Sequence, residues 1–277
     1  MDACRLTLDD ADAAFFACFQ IEIVILEDPV FIFVEQLNAL GIGLGGDHDG
    51  ISKAIFCADI GLVCALDMIE KSEFAPQIKN NAVVHQNKIF VSTMAGELFD
   101  FELSKSDTCT LEDIIGMYLM KTAPYTVSGP LVLGAILSGE GKDTQDKLFE
   151  YGNLVGCAFQ IKDDILGIFS SADTTGKSDL SDMREGKKTV LSLHFIQNAT
   201  DVDKDTFEKI YGNENSNEND LEMIKNLFVK SGSLEFANNM CRVYIDKANE
   251  ILGKMNVNAN QKQMLLEMNE YILTRNN

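Results

Sequence analysis

Apolar residues along this chain fall in long blocks with helical rather than alternating spacing. Residues 54–69 carry apolar side chains at Ile55, Phe56, Leu62, Val63, Leu66 and Ile69, which predicts a helix with a buried face. Asp59 and Asp67 interrupt that block, as Gln20, Glu22, Glu27 and Asp28 interrupt residues 13–34, so neither predicts a membrane span. Thr110 followed by Leu-Glu-Asp predicts a helix start of the capping-box type. The small and apolar residues 128–141 predict a core helix packed closely at Gly129 and Gly134, with Pro130 as a kink. Amphipathic helices are expected over 221–230 and 233–252, then a last helix over 256–277, frayed at Thr-Arg-Asn-Asn. The Asn/Asp-rich residues 200–220 predict a loop, and the glycines of 41–50 a flexible connection. At the N-terminus the run 13–26 ends in β-branched residues and is mixed between helix and strand. Asp28 then Pro29 predict the start of a new helix through Ala39, closed near Gly41. The sum is an all-α chain, with no internal repeat and no linker that would divide 1–277 into two domains.

Composition supports this and narrows the partners. A hydrophobic content of 46% with four prolines suits long helices around a sizeable core. The net charge of −20 argues against nucleic acid or an anionic membrane as a partner. An anionic substrate would therefore need local lysines or a metal. The seven cysteines form no CxxC pair and sit mostly among apolar residues, which predicts buried free thiols in a reducing cytoplasm and no thiolate metal site. No basic segment precedes an apolar run at the N-terminus, so no secretory signal is expected. His194, on an apolar run, is expected to be structural.

The chemistry concentrates in residues 151–190. Gln160, Asp163 and Asp164 stand at i, i+3 and i+4, so on a helix they share one face about a turn long. Two adjacent carboxylates on an otherwise apolar helix are unfavourable to bury without compensation, and oxygen donors of this kind suit Mg²⁺ with water and substrate phosphates. Lys177, Lys187 and Lys188 follow and would add positive charge for the same phosphates.

Phe-Gln-Ile-Lys-Asp-Asp-Ile-Leu-Gly at 159–167, Thr-Gly-Lys at 175–177 with Ser-Asp-Leu behind it, and Glu-Gly-Lys-Lys-Thr-Val at 185–190 resemble the second aspartate-rich region of the trans-isoprenyl diphosphate synthases, the polyprenyl synthetase family. Residues 52–275 resemble the family throughout. Asp59 matches an Ala-Ile-Leu-x-Gly-Asp helix, Gly96 and Asp100 a Gly-Gln-x-x-Asp segment with Glu97 at the glutamine, and Lys121-Thr122 the family's Lys-Thr pair. The resemblance implies a single all-α domain of the isoprenoid synthase type around a central cavity. It further implies Mg²⁺-dependent condensation of an allylic prenyl diphosphate with isopentenyl diphosphate, in a cytoplasmic homodimer or heterodimer. Lys121, Thr122, Gln160 and Lys177 would act on the allylic diphosphate, with Lys187 binding it and Asp163 and Asp164 holding metal.

The chain departs from the family in its first 51 residues. Where the first aspartate-rich motif belongs stands Leu-Glu-Asp-Pro-Val-Phe at 26–31, so Asp28 is either a helix cap or the replacement metal ligand, with Glu27 and Glu35 as further replacements. The family's Gly-Lys-x-x-Arg signature and arginine pair are missing, and residues 1–52 hold Arg5 as the one basic residue against ten acidic ones. The third carboxylate of the second motif is Gly167. Two alternatives stay open: a non-catalytic or regulatory subunit of a heterodimeric synthase, and a class I terpene cyclase. For the cyclase, Ser181 and Glu185 fit the metal signature but Lys177 stands at its first position.

Overall fold

The computed structural model describes residues 47–106, 108–170 and 180–275, all helix, turn or loop with no strand among them. Helices α1 (Asp47–Lys71), α2 (Pro76–Lys105) and α3 (Leu111–Ala123) lead through a π-helical turn, Pro124–Ser128, into α4 (Gly129–Leu137). Then follow α5 (Lys142–Phe169), α6 (Ser181–Glu185), α7 (Val190–Asn198), α8 (Asp201–Ile210), α9 (Glu218–Lys230), α10 (Ser233–Lys254) and α11 (Ala259–Thr274). The chain divides into two compact units, Met1–Ile89 with Gly129–Leu148 and Phe90–Ser128 with Phe149–Asn277. No helix among the described residues is long and apolar enough to cross a membrane.

Local chemistry sets several boundaries. Thr110 caps α3 reciprocally with Asp113, as expected, and Thr189 with Ser192 and Asn258 with Gln261 repeat the device at α7 and α11. Within the second unit, α5 passes very close to the π-helical turn and the end of α3. A Cβ on Gly152 would lie 2.4 Å from Ser128 Cα, and one on Gly156 would lie 2.5 Å from Ala123 Cα. Gly152→Ala is accordingly expected to lower stability by about 1–3 kcal/mol, because backbone must move to admit the methyl group. An unchanged urea midpoint would show that the two segments are free to separate.

Four expectations need correction. Residues 200–220 are not one loop: Thr200 caps α8, and Phe207 and Ile210 bury its inner face, with Phe207 4.7 Å from Phe195 between ring centroids. The polar residues there are the outer face of a short amphipathic helix, and Asn217 with Asp220 already forms the capping box of α9. The glycine-rich connection ends sooner, since α1 begins at Asp47. Residues 54–69 are helical, but Ile55, Phe56 and Val63 are exposed, and so is Asp59. Their helix is apolar on more than one side, and one of those sides is exposed among the described residues. Finally, the last helix spans Ala259–Thr274 rather than starting at 256, and Arg275 just beyond its end has a side chain 9% exposed.

Cys157 and Cys241 are buried free thiols, with burial raising them to about 12 and about 11, whereas Cys64 is exposed and Cys109 half-buried. His194 meets Ser233 Oγ at 3.0 Å and stacks on Phe236, in keeping with a structural role. The N-terminal readings of Glu27, Asp28 and Glu35 lie outside the described residues, as does Lys177.

Candidate active site

The second unit gathers one polar network around Asp164, whose side chain is 2% exposed. Its Oδ1 accepts from Gln160 Nε2 at 3.0 Å and from Lys187 Nζ at 3.1 Å, and its Oδ2 accepts from the Tyr118 hydroxyl. Gln160 in turn accepts from Thr122 Oγ1 at 2.6 Å. Three donors therefore satisfy a buried carboxylate that would otherwise be strongly unfavourable. Burial raises the Asp164 carboxyl, with Lys187, Tyr118 and Gln160 pulling the other way. Burial, then the adjacent Asp164, raise the Tyr118 hydroxyl well above its ordinary value, which keeps it a donor.

Lys187 reaches Asp164 because of how α6 ends. Gly186 adopts a left-handed conformation at φ +65°, and Lys187 N–H donates back to Asp182 O at 3.2 Å. On its other side, the Lys187 carbonyl accepts from the Tyr211 hydroxyl at 2.8 Å and from Ser192 Oγ at 3.2 Å. The ammonium lies 3.5 Å from Asp182 Oδ2 as well. Burial opposes its charge, but Asp164 and Asp182 outweigh burial and leave its pKa raised. Asp182 also fills the gap at Gly167, where a Cβ would stand 2.4 Å from Asp182 Oδ2. A carboxylate carried by α6 thus lies beside the position where the motif lacks its third acid.

Asp163, the neighbour of Asp164 on α5, is 54% exposed and lies 3.7 Å from the Arg275 guanidinium. The two carboxylates, equivalent in the sequence, are separated by burial and by partner.

Lys121 forms a second group. Its ammonium sits 2.7 Å from Asp100 Oδ2 and 2.9 Å from Glu97 Oε2 on α2. Gly96 permits this: a Cβ there would lie 2.4 Å from Lys121 N, so α2 touches α3 at backbone distance, while Ser92 donates to Met120 O at 3.1 Å. Burial works against the Lys121 charge, and Asp100 and Glu97 outweigh it and raise the pKa.

Of the residues expected in the site, Thr122, Gln160, Asp164 and Lys187 are joined in one network. Lys121 is held in its own carboxylate pair, and Asp163 stands next to Arg275. The sequence reading overlooked Tyr118, Asp182 and Arg275. Tyr118 lies three residues before Lys121, one turn away, a spacing that could have flagged it. Asp182 and Arg275 reach the site through tertiary packing and carry no local signal.

No group of three or more His, Cys, Asp or Glu side chains suited to a metal occurs among the described residues. Among the described residues, Asp163 offers a half-exposed carboxylate beside the network. That donor set fits a Mg²⁺ whose other oxygens come from water and a diphosphate, and does not fit a bare ion held by protein alone.

The sequence model of a family described as polyprenyl synthetase matches residues 47–228. A geranylfarnesyl diphosphate synthase of Aeropyrum pernix is 30% identical over 181 residues, covering 65% of this chain and 55% of that protein. A geranylgeranyl diphosphate synthase of Saccharolobus solfataricus is 34% identical over 172 residues, covering 62% of this chain and 51% of that protein. This chain thus spans about half the length of these two relatives. Among solved structures, a geranylgeranyl pyrophosphate synthetase from Pyrococcus horikoshii superposes with a TM-score of 0.72 at 26% identity, covering 96% of this chain and 78% of that one. A geranylgeranyl pyrophosphate synthase from Corynebacterium glutamicum, complexed with isoprenyl diphosphate and magnesium, gives a TM-score of 0.78 at 23% identity, with 96% and 77% covered. That second likeness shows the fold alone.

Proposed function

Since this chain belongs to the polyprenyl synthetase family, we propose that it condenses an allylic prenyl diphosphate with isopentenyl diphosphate in a Mg²⁺-dependent chain elongation. The observation that carries the reading is the network of Thr122, Gln160, Asp164 and Lys187, with the exposed Asp163 carboxylate beside it on α5. When bound, the metal would stabilise the negative charge that develops on the departing diphosphate. Asp163 would hold it. Lys187, fixed by two carboxylates, stays protonated and offers an oriented positive charge to the same leaving group. Asp164 serves in this reading as the buried counter-ion that orients Lys187 and Gln160, a different role from the metal ligation first expected of it. Gln160 fixes Thr122, and Lys121, with two of its three N–H donors held by Asp100 and Glu97, keeps the third for a phosphate oxygen. Lys177 would add a further cation.

A dimer is part of this proposal, with a second copy or a related synthase as partner. Val91, Met94, Leu98 and Phe101 stand exposed along one stripe of α2, at the spacing of a helix seam that expects a partner. The buried thiols at Cys157 and Cys241 suit the reducing cytoplasm expected for such an enzyme.

The test is purified protein with Mg²⁺, labelled isopentenyl diphosphate and allylic primers of several lengths. Elongated product from the protein alone is expected. Turnover only after a second synthase is added would replace this reading with the subunit one. Hydrocarbon formed without isopentenyl diphosphate would point to a cyclase instead.

A further inference from the structure

Arg275 lies just beyond α11, yet its side chain is only 9% exposed. Its guanidinium carbon sits 4.1 Å above the Phe159 ring, and Nη2 donates to Phe159 O at 3.1 Å while standing 3.7 Å from Asp163 Oδ1. The Nε is buried with no partner among the described residues. A buried orphan donor is unfavourable, and the bond from Nη2 to Phe159 O leaves that cost at Nε uncompensated. Lys162, which precedes Asp163, is a second cation and is 8% exposed. Burial lowers the pKa of both groups, and Arg275 adds to the effect on Lys162 through like-charge repulsion.

Asp163 therefore has the Arg275 guanidinium close on one side and solvent on the other. A bare divalent cation approaching its carboxylate meets repulsion from Arg275. The same cation carried by a diphosphate brings a net negative charge, and Arg275 then attracts the complex. We propose that Arg275 is a positioning residue that makes Asp163 favour a divalent cation carried by a diphosphate over the bare ion. This rests on the reading of Asp163 as a metal ligand. It gives the site a preferred order of loading, in which metal and diphosphate arrive together.

The experiment titrates MgCl₂ into the full chain, with and without inorganic diphosphate, and follows thermal unfolding and binding heat. Arg275→Met keeps the apolar stem over Phe159 and removes the charge. It is expected to tighten half-saturation by Mg²⁺ alone roughly three- to tenfold and to weaken the response to Mg²⁺ with diphosphate. Arg275→Lys should stay near the parent protein. Arg275→Gln carries the same test should the methionine variant fail to fold. The proposal is overturned if charge removal leaves the Mg²⁺-alone titration unchanged, or if Arg275→Lys shifts it as far as Arg275→Met does. Asp163→Asn separates the two levels. If that variant keeps the full Mg²⁺-diphosphate response, the metal reading falls and takes this inference with it. If it loses the response while the Arg275 variants match the parent, the inference alone falls.

Discussion

Replacing Asp164 with alanine is expected to lower the unfolding free energy by about 3 kcal/mol, the lower end for breaking a buried ion pair because Lys187 retains some exposure. Three groups lose their acceptor at once: the Lys187 ammonium, the Tyr118 hydroxyl and the Gln160 amide. Lys187 keeps Asp182 at 3.5 Å, but Tyr118 is fully buried and has no water to turn to. Asp164→Asn should lose less, since its amide oxygen can still accept one or two of those bonds. Urea unfolding of the two variants measures the difference. A loss in Asp164→Ala of under about 1 kcal/mol would place Asp164 among ordinary surface carboxylates and remove the anchor from the site.

How much of this was legible beforehand depended on how local the cause was. The capping box at Thr110 needs only four consecutive residues, so α3 could be placed from sequence. The helix at Asp201–Ile210 could not, because two buried anchors, Phe207 and Ile210, had to outweigh the polar residues around them, and Phe207 packs against Phe195 and Phe228 from elsewhere in the chain. At the candidate site, residue types and spacing identified Gln160, Asp163, Asp164 and Lys187 as one chemical set. They did not reveal the division of labour within it. Adjacent helical positions are turned by about 100° from each other, and which carboxylate enters the interior is decided by Tyr118, Lys187 and Arg275, each far along the chain. Gly167 reads in the sequence as a missing acid, whereas in space the carboxylate of Asp182 stands beside it.

Asp163→Ala is expected to do the reverse of Asp164→Ala: to lower turnover by roughly two to three orders of magnitude, the scale for removing one preorganised group that stabilises transition-state charge, while leaving the fold nearly intact. The side chain is half exposed, its contact with Arg275 at 3.7 Å is longer than a hydrogen bond, and Arg275 keeps Phe159 O and the Phe159 ring as partners, so its loss should cost the fold about 1 kcal/mol at most. Removing it also relieves no clash and opens no cavity. The measurement pairs steady-state elongation of an allylic primer at saturating Mg²⁺ with thermal unfolding of the same preparation. Asp163→Glu, which keeps the charge but moves it by one methylene, should recover part of the rate. Unchanged turnover in Asp163→Ala would remove Asp163 from the metal site, and a fall in melting temperature as large as that of Asp164→Ala would make it a structural residue instead. The opposite outcomes expected for two adjacent aspartates test the site at its most discriminating point, because a general disturbance of α5 would affect both variants alike.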